Sequence, residues 1–393
     1  MNIDILKKVV PKPVIMFFYS IIFLLGLIST SGLINTVLPS SVTPQNLGDI
    51  STKFQYFAEH KNDYDVIFLG PSTTYQGVIP KVFDETMTSN GKSIKSFNFG
   101  IMAANAVEMD FYLQKILALK PANLKWIFLD CLVDFFMEEA PTAAKNVYWH
   151  TPVKTIENFQ LISESTSTLK EKISGFYANS VSFLYRWLGI GYFSTLWQQQ
   201  SEVLPKGISA EKLIQEAGYY AMDWLENSEK RREIFISNYL ESYEQQLKQS
   251  KSGVFVRGNI STYPLNSYII KIIQNIASRV ESQEKTGQIK VKPIFFIPPV
   301  LNTDFNNSAI TTAYNVGYIP TLFAFNKPNT FTTLYEVDRR ADARHLNQEG
   351  AQEFTRVLAA EFSKYLNSSP NDPYNQSLLS RSQLTTGKYH NQT

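Results

Sequence analysis

This 393-residue sequence predicts an α/β fold built on a parallel sheet, and three observations lead there. Four short apolar runs, at 64–70, 94–99, 126–129 and 292–297, have strand length and no helical period. The first and last run into proline, at Gly70-Pro71 and Pro298-Pro299, which removes the next ladder hydrogen bond and stops the strand. Between the second and third runs lies a segment of helical pattern, and strand, helix, strand in that rhythm gives parallel pairing through right-handed crossovers.

Taken in order, the chain begins with Lys7, Lys8 and Lys12 and then carries no charged side chain until Asp49. Residues 14–28 are almost wholly apolar and 33–38 continue more weakly, so 14 to about 34 reaches the ~20 residues that a membrane span needs. Lysines before the run and none just after it predict a cytoplasmic N-terminus and an extracytoplasmic body from residue 49 onward. Two readings of residues 1–38 stay open, a retained single-pass anchor in the bilayer and a cleaved signal peptide with Ser29-Thr-Ser31 as its cleavage zone. A buried soluble helix fits worse, because the run has no polar face.

Residues 39–52, with Pro39, Pro44 and Gly48, read as a linker, followed by a short helix at 53–60 and the first strand. The second strand ends in Gly100; a helix over 103–119 leads to the third strand, which ends in Asp130. Residues 135–285 are too long for a simple crossover and read as a mostly helical insertion between the two parts of the α/β domain, 53–134 and 286–367. Within it, 176–197 is rich in Phe, Tyr and Trp, and three uses fit that stretch: core, a lid that stacks on sugar or acyl chains, or contact with a membrane surface. The charged run 209–251 reads as helix with mostly solvated faces, and 268–279 as an apolar-periodic helix entering the fourth strand. A long loop is expected over 300–333 and a last helix from 348 to about 367. Ser, Asn, Gln and Thr over 368–393 read as a disordered tail.

Chemistry concentrates at the two ends of the α/β domain. Ser72 falls on the turn after the first strand, at the edge of a parallel sheet where ligands bind, and there it is either a nucleophile or a cap on the next helix. A nucleophilic serine needs a base and a carboxylate to orient that base. Of four histidines, His60, His150, His345 and His390, His345 alone has an acid three residues upstream, Asp342, and a helical pattern directly behind it. Gly100 at the second strand's end permits close backbone approach, and its amide is a candidate donor to an oxyanion.

These residues carry a resemblance. Gly70-Pro-Ser72, Phe97-Asn-Phe-Gly100 and Asp342-x-x-His345-Leu-Asn resemble the first, second and last blocks of the SGNH/GDSL hydrolase superfamily. Gly70-x-Ser72 with Gly77, Pro80 and Asn98-x-Gly100 is similar to its membrane-anchored branch, which includes alginate O-acetylation and teichoic-acid D-alanylation proteins. The likeness covers about 65–130 and 290–365. It implies a flavodoxin-like α/β/α sandwich, a Ser72, His345, Asp342 triad, and an esterase or O-acyltransferase acting on a glycan or acylated envelope polymer. A polytopic membrane acyltransferase is a partner implied in the same way. The departure is at Asp130, where the superfamily places an asparagine whose amide holds the oxyanion. Either Asn98 or Asn105 takes that task, or the Ser72 and Gly100 amides act alone, or Asp130 does something else; one lost donor costs about 10²–10³ in rate. That departure favours a different class of protein, a non-catalytic glycan-binding or assembly subunit of an envelope acylation system.

Composition removes several alternatives. Lys plus Arg (37) nearly balance Asp plus Glu (35), which argues against a nucleic-acid partner held through phosphates. One cysteine, Cys131, excludes an internal disulfide and reads as a small core residue. No phosphate-binding glycine loop, no metal-spaced cluster and no internal repeat is present, so no cofactor and no metal are expected.

Overall fold

A computed structural model describes residues 12–37, 44–130, 140–165, 167–189, 208–252, 264–283, 291–301 and 308–368. In chain order the elements are α1 (Lys12–Val37), α2 (Asp49–His60), β1 (Val66–Leu69), α3 (Ser72–Tyr75), α4 (Pro80–Ser89), β2 (Ser96–Asn98), α5 (Ala106–Ala118) and β3 (Trp126–Leu129). Then come α6 (Ala144–Trp149), α7 (Pro152–Glu164), α8 (Leu169–Trp187), α9 (Ala210–Gln215), α10 (Ser228–Ile234), α11 (Leu240–Lys251), α12 (Tyr268–Glu281) and β4 (Lys292–Ile297). The chain closes with α13 (Ser308–Asn315), β5 (Leu322–Ala324) and α14 (Gln348–Ser368). Two compact units result, one of Met1–Val42, Met137–Phe159 and Ser167–Ser201, the other of Thr43–Phe136, Gln160–Thr166 and Glu202–Thr393. The stretch 135–285, expected as a single insertion, is therefore divided between them.

The larger unit holds five parallel strands in the order β2-β1-β3-β4-β5. Alternation along each strand explains its burial. Val66, Phe68, Trp126, Phe128, Ile294 and Phe296 point to one face, where they meet Phe83 and Met87 of α4 and Phe354, Leu358 and Phe362 of α14. The Phe128 ring lies 5.0 Å from both Phe68 and Phe362, and emptying such a position, as in Phe362→Ala, costs about 3–5 kcal/mol. The alternate residues, Ile67, Leu69, Ile127 and Leu129, are equally buried. Strands covered on both faces read as continuous apolar runs, which is why they stand out in the sequence.

Several boundaries differ from expectation. α2 begins at Asp49 rather than 53, inside the stretch read as linker, and Ile50, Phe54 and Phe57 give it a buried face. The loop expected over 300–333 contains α13 and β5 among its described residues. β5 is three residues long and only half buried, too short to show a period. The charged run 209–251 is not one solvated helix. It is interrupted by a tight turn, Met222–Trp224, and then runs through a π-helical segment, Phe235–Tyr239, that joins α10 to α11. Phe235 and Tyr243 are buried with rings 5.5 Å apart, and Tyr243 Oη donates to Tyr335 O at 2.7 Å. Cys131, most of the region read as a tail, and Tyr192, Phe193 and Trp197 of the aromatic stretch lie outside the described residues.

In the smaller unit, α1 includes a 22-residue segment, Lys12–Leu33, of mean hydropathy 2.2 that is almost entirely exposed. It is long and apolar enough to cross a bilayer. α8 starts with a capping box: Thr168 Oγ1 accepts from Glu171 N and the Glu171 carboxylate accepts from Thr168 N.

Candidate active site

Gly70 ends β1 because nothing larger fits. A Cβ there would fall 2.1 Å from Thr74 Oγ1 and 2.7 Å from Asp130 Cβ. The chain turns at Pro71 and enters α3 at once, so Ser72 stands at the carboxyl edge of the sheet as the first residue of a helical turn. Its Oγ lies 2.8 Å from His345 Nε2, across 273 residues of sequence. His345 Nδ1 in turn lies 3.0 Å from both Asp342 oxygens.

The Asp342-x-x-His345 spacing works because the loop folds back on its own carboxylate. Asp342 Oδ1 accepts from the backbone amides of Arg344 and His345, each at 2.8 Å. Burial by itself would raise the Asp342 carboxyl, but the hydrogen bond and charge of His345 and the two amides outweigh it and hold the group below the ordinary carboxylate range. An ionised Asp342 requires the proton on His345 Nδ1, which leaves Nε2 free to accept from Ser72. Behind this loop α14 starts at a fixed point: Gln348 N donates to Asp223 Oδ2 at 2.6 Å.

The four residues expected around an oxyanion sit differently. Asp130 is fully buried beneath the serine turn, where its Oδ2 accepts from Thr73 Oγ1 at 2.6 Å and Thr74 Oγ1 at 2.9 Å. Its Oδ1 has no partner among the described residues. Burial pushes this carboxyl up to about 7 despite the two hydroxyls that favour its ionised form. Asp130 thus anchors α3. Asn98 is spent as well: its Nδ2 donates to Thr74 O and Val78 O, at 2.9 and 2.7 Å, while its Oδ1 accepts from Gly100 N at 2.7 Å. The Gly100 amide is therefore occupied, and its glycine is explained by close approach, since a Cβ would lie 2.4 Å from the Tyr75 backbone. Asn105 caps α5 by accepting from Glu108 N at 2.9 Å. Among these groups the Ser72 and Thr73 amides remain, the first two of the α3 turn, with no acceptor among the described residues.

Three further residues carry no sequence signal strong enough to single them out. Arg231 of α10 places Nη1 3.2 Å from Asp342 Oδ2, and its neighbour Arg232 donates to Arg340 O at 2.5 Å. Both hide in a run of charged residues. Gln76 lines the same cleft as Ser72 and His345, opposite Pro298 and Pro299. It lies four residues after Ser72, so the two side chains share a face of the turn. Its Oε1 is buried and has no partner among the described residues. The cleft holds about 10 Å³, room for roughly one water-sized group.

The fold and the site define an α/β protein with a serine, an imidazole and a carboxylate hydrogen-bonded in series at the edge of a parallel sheet. No family model and no curated protein matches the chain. Among the described residues no group of histidine, cysteine and carboxylate side chains is placed to hold a metal ion.

Proposed function

We propose that this protein is a membrane-anchored, extracytoplasmic acyl-ester hydrolase or O-acyltransferase of the SGNH type, acting on an acylated glycan or envelope polymer. The observation that carries the reading is the unbroken line from Ser72 Oγ through His345 to Asp342, at 2.8 and 3.0 Å. The strand order is that of doubly wound flavodoxin-like sheets, which supports a three-layer α/β/α sandwich with its crevice between the ends of β1 and β3. The glycan acceptor, the export of the body and a membrane acyltransferase as acyl donor rest on the resemblance and on the apolar α1.

In this reading Ser72 Oγ attacks the ester carbonyl carbon while His345 Nε2 takes the hydroxyl proton, and the ionised Asp342 stabilises the imidazolium. The carbonyl oxygen, now negative, is received by the Ser72 and Thr73 amides. Collapse of the intermediate breaks the bond to the alkoxide, which leaves with the proton from His345. Water or a sugar hydroxyl then attacks the acyl-Ser72 ester by the same steps in reverse.

A second reading has its own observation. Asp130, Asn98 and Gly100 are all committed to holding the serine turn, which leaves the oxyanion site without a side-chain donor among them. That favours a binding or assembly subunit that has kept the fold without efficient chemistry. Labelling with a serine-directed phosphonate, followed by turnover of a small activated acetyl ester, decides between the two. The enzyme reading expects a covalent adduct on Ser72 that disappears in Ser72→Ala and His345→Ala; no adduct on the wild type, and hydrolysis equal to that of Ser72→Ala, would leave the binding subunit.

A further inference from the structure

α8 is built inside out for a helix in water. At 100° per residue, Leu169, Ile173, Tyr177 and Leu184 fall within one stripe about 80° wide. These four are all exposed, at 75%, 60%, 69% and 50%. The opposite side is the packed one, and it consists of Gly175, Ala178, Asn179 and Ser182. Polar contacts hold that inner face: Asn158 Nδ2 donates to Asn179 Oδ1 at 2.5 Å, and Ser182 Oγ donates to Pro141 O at 2.7 Å. The first half of α7 repeats the inversion, with Lys154, Thr155 and Asn158 buried while Val153 and Ile156 are 63% and 57% exposed. Small and polar residues inside with large apolar residues outside is the arrangement of helices that face hydrocarbon.

The stripe is also continuous with α1. Trp187, which ends α8 on the stripe side, lies against the C-terminal part of α1, where a Cβ on Gly32 would be 3.5 Å from its ring. Lys170, Glu171, Lys172 and Arg186 make α8 too polar to cross a bilayer, and its 19 residues are only half apolar. A helix with an apolar stripe, a polar opposite face and lysines beside the first turn lies in the membrane surface.

We propose that α8, with the start of α7, is a second membrane contact: an interfacial helix whose Leu169, Ile173, Tyr177 and Leu184 enter the acyl-chain region of the leaflet where α1 emerges. The occupant of this face is phospholipid. The proposal rests on α1 being retained in the bilayer and is independent of the chemistry at Ser72. Exposed apolar area of this size has a cost in water that insertion removes, at about 25 cal/mol per Å².

The test uses the full chain in phosphatidylcholine–phosphatidylglycerol vesicles, with an environment-sensitive dye on one introduced cysteine in a Cys131→Ser background. Leu24→Cys reports on α1, Ile173→Cys and Tyr177→Cys on the stripe, and Ser174→Cys on an exposed position about 100° from its centre. The expected result is blue-shifted emission at 24, 173 and 177 that is quenched by lipids with brominated chains, with 174 remaining water-like. A water-like signal at 24 removes the anchor and the proposal with it. Quenching at 24 with water-like signals at 173 and 177 overturns the proposal alone, and so do blue-shifted signals at 173 and 177 that brominated lipid leaves unquenched, because then protein covers the face.

Discussion

Two aspartates near one edge of the sheet show how far surroundings decide what a carboxylate does. Asp342 is half-buried and receives four donors, the His345 ring, two backbone amides and Arg231, so it stays ionised. Asp130 is fully buried, receives only two hydroxyls, and is pushed up to about 7. The same side chain is thus an electrostatic partner in one place and a neutralisable strut in the other. Local charge and donor count, not residue type, separate the two roles.

The largest expected effect would break the comparison outright. Replacing each carboxylate by its amide should cost Asp342→Asn about 10⁴ in kcat, since the asparagine favours the wrong imidazole tautomer. Ser72→Ala should cost about 10⁶ if the triad acts as a unit. Asp130→Asn should leave turnover of an activated ester near wild type, because an oxygen remains to accept from Thr73. Equal losses for both amides, measured by steady-state kinetics, would mean that Asp130 acts in the chemistry.

A smaller effect sharpens the role of Arg231. Its hydrogen bond to Asp342 is partly solvated, so Arg231→Met should lower kcat about tenfold with KM little changed, and Arg231→Lys should recover part of that. A rise in KM alone would make Arg231 a substrate contact. Smallest in amplitude is the pH dependence of stability, in which the two aspartates have opposite signs. Asp130 has a folded pKa above its ordinary 3.8, so its contribution is full below about pH 4 and is lost as pH rises through about 7. Asp342 is depressed, so its contribution persists until pH falls below the ordinary carboxylate range. Thermal unfolding should therefore show Tm falling between about pH 4 and pH 7 in the wild type and a flatter profile over that range in Asp130→Asn. A wild-type profile no steeper than that of the variant would contradict the raised Asp130 pKa.

What the sequence made legible follows from the same physics. Strands buried on both faces and cut off by Gly70-Pro71 and Pro298-Pro299 announce themselves, and so does a histidine three residues after an aspartate at the head of a long amphipathic helix. The serine turn and its two distant partners were within reach for that reason. β5 was not, because three half-buried residues show no period. Gly100 and Asn98 looked like oxyanion donors because residue type does not reveal that each already satisfies the other. Arg231 was hidden because one useful cation in a charged run has the same one-dimensional signature as its solvated neighbours.

The separation of 273 positions between Ser72 and His345 has a consequence for the protein's birth. Translation at roughly 5–20 residues per second delivers the serine on the order of tens of seconds before the histidine. Until then Ser72 has no imidazole within hydrogen-bond reach. Loop-closure entropy grows only as the logarithm of length, so joining such distant segments is little harder than joining nearer ones. Any chain that stops before residue 342 would carry Ser72 without the Asp342 and His345 side chains that complete the hydrogen-bonded series.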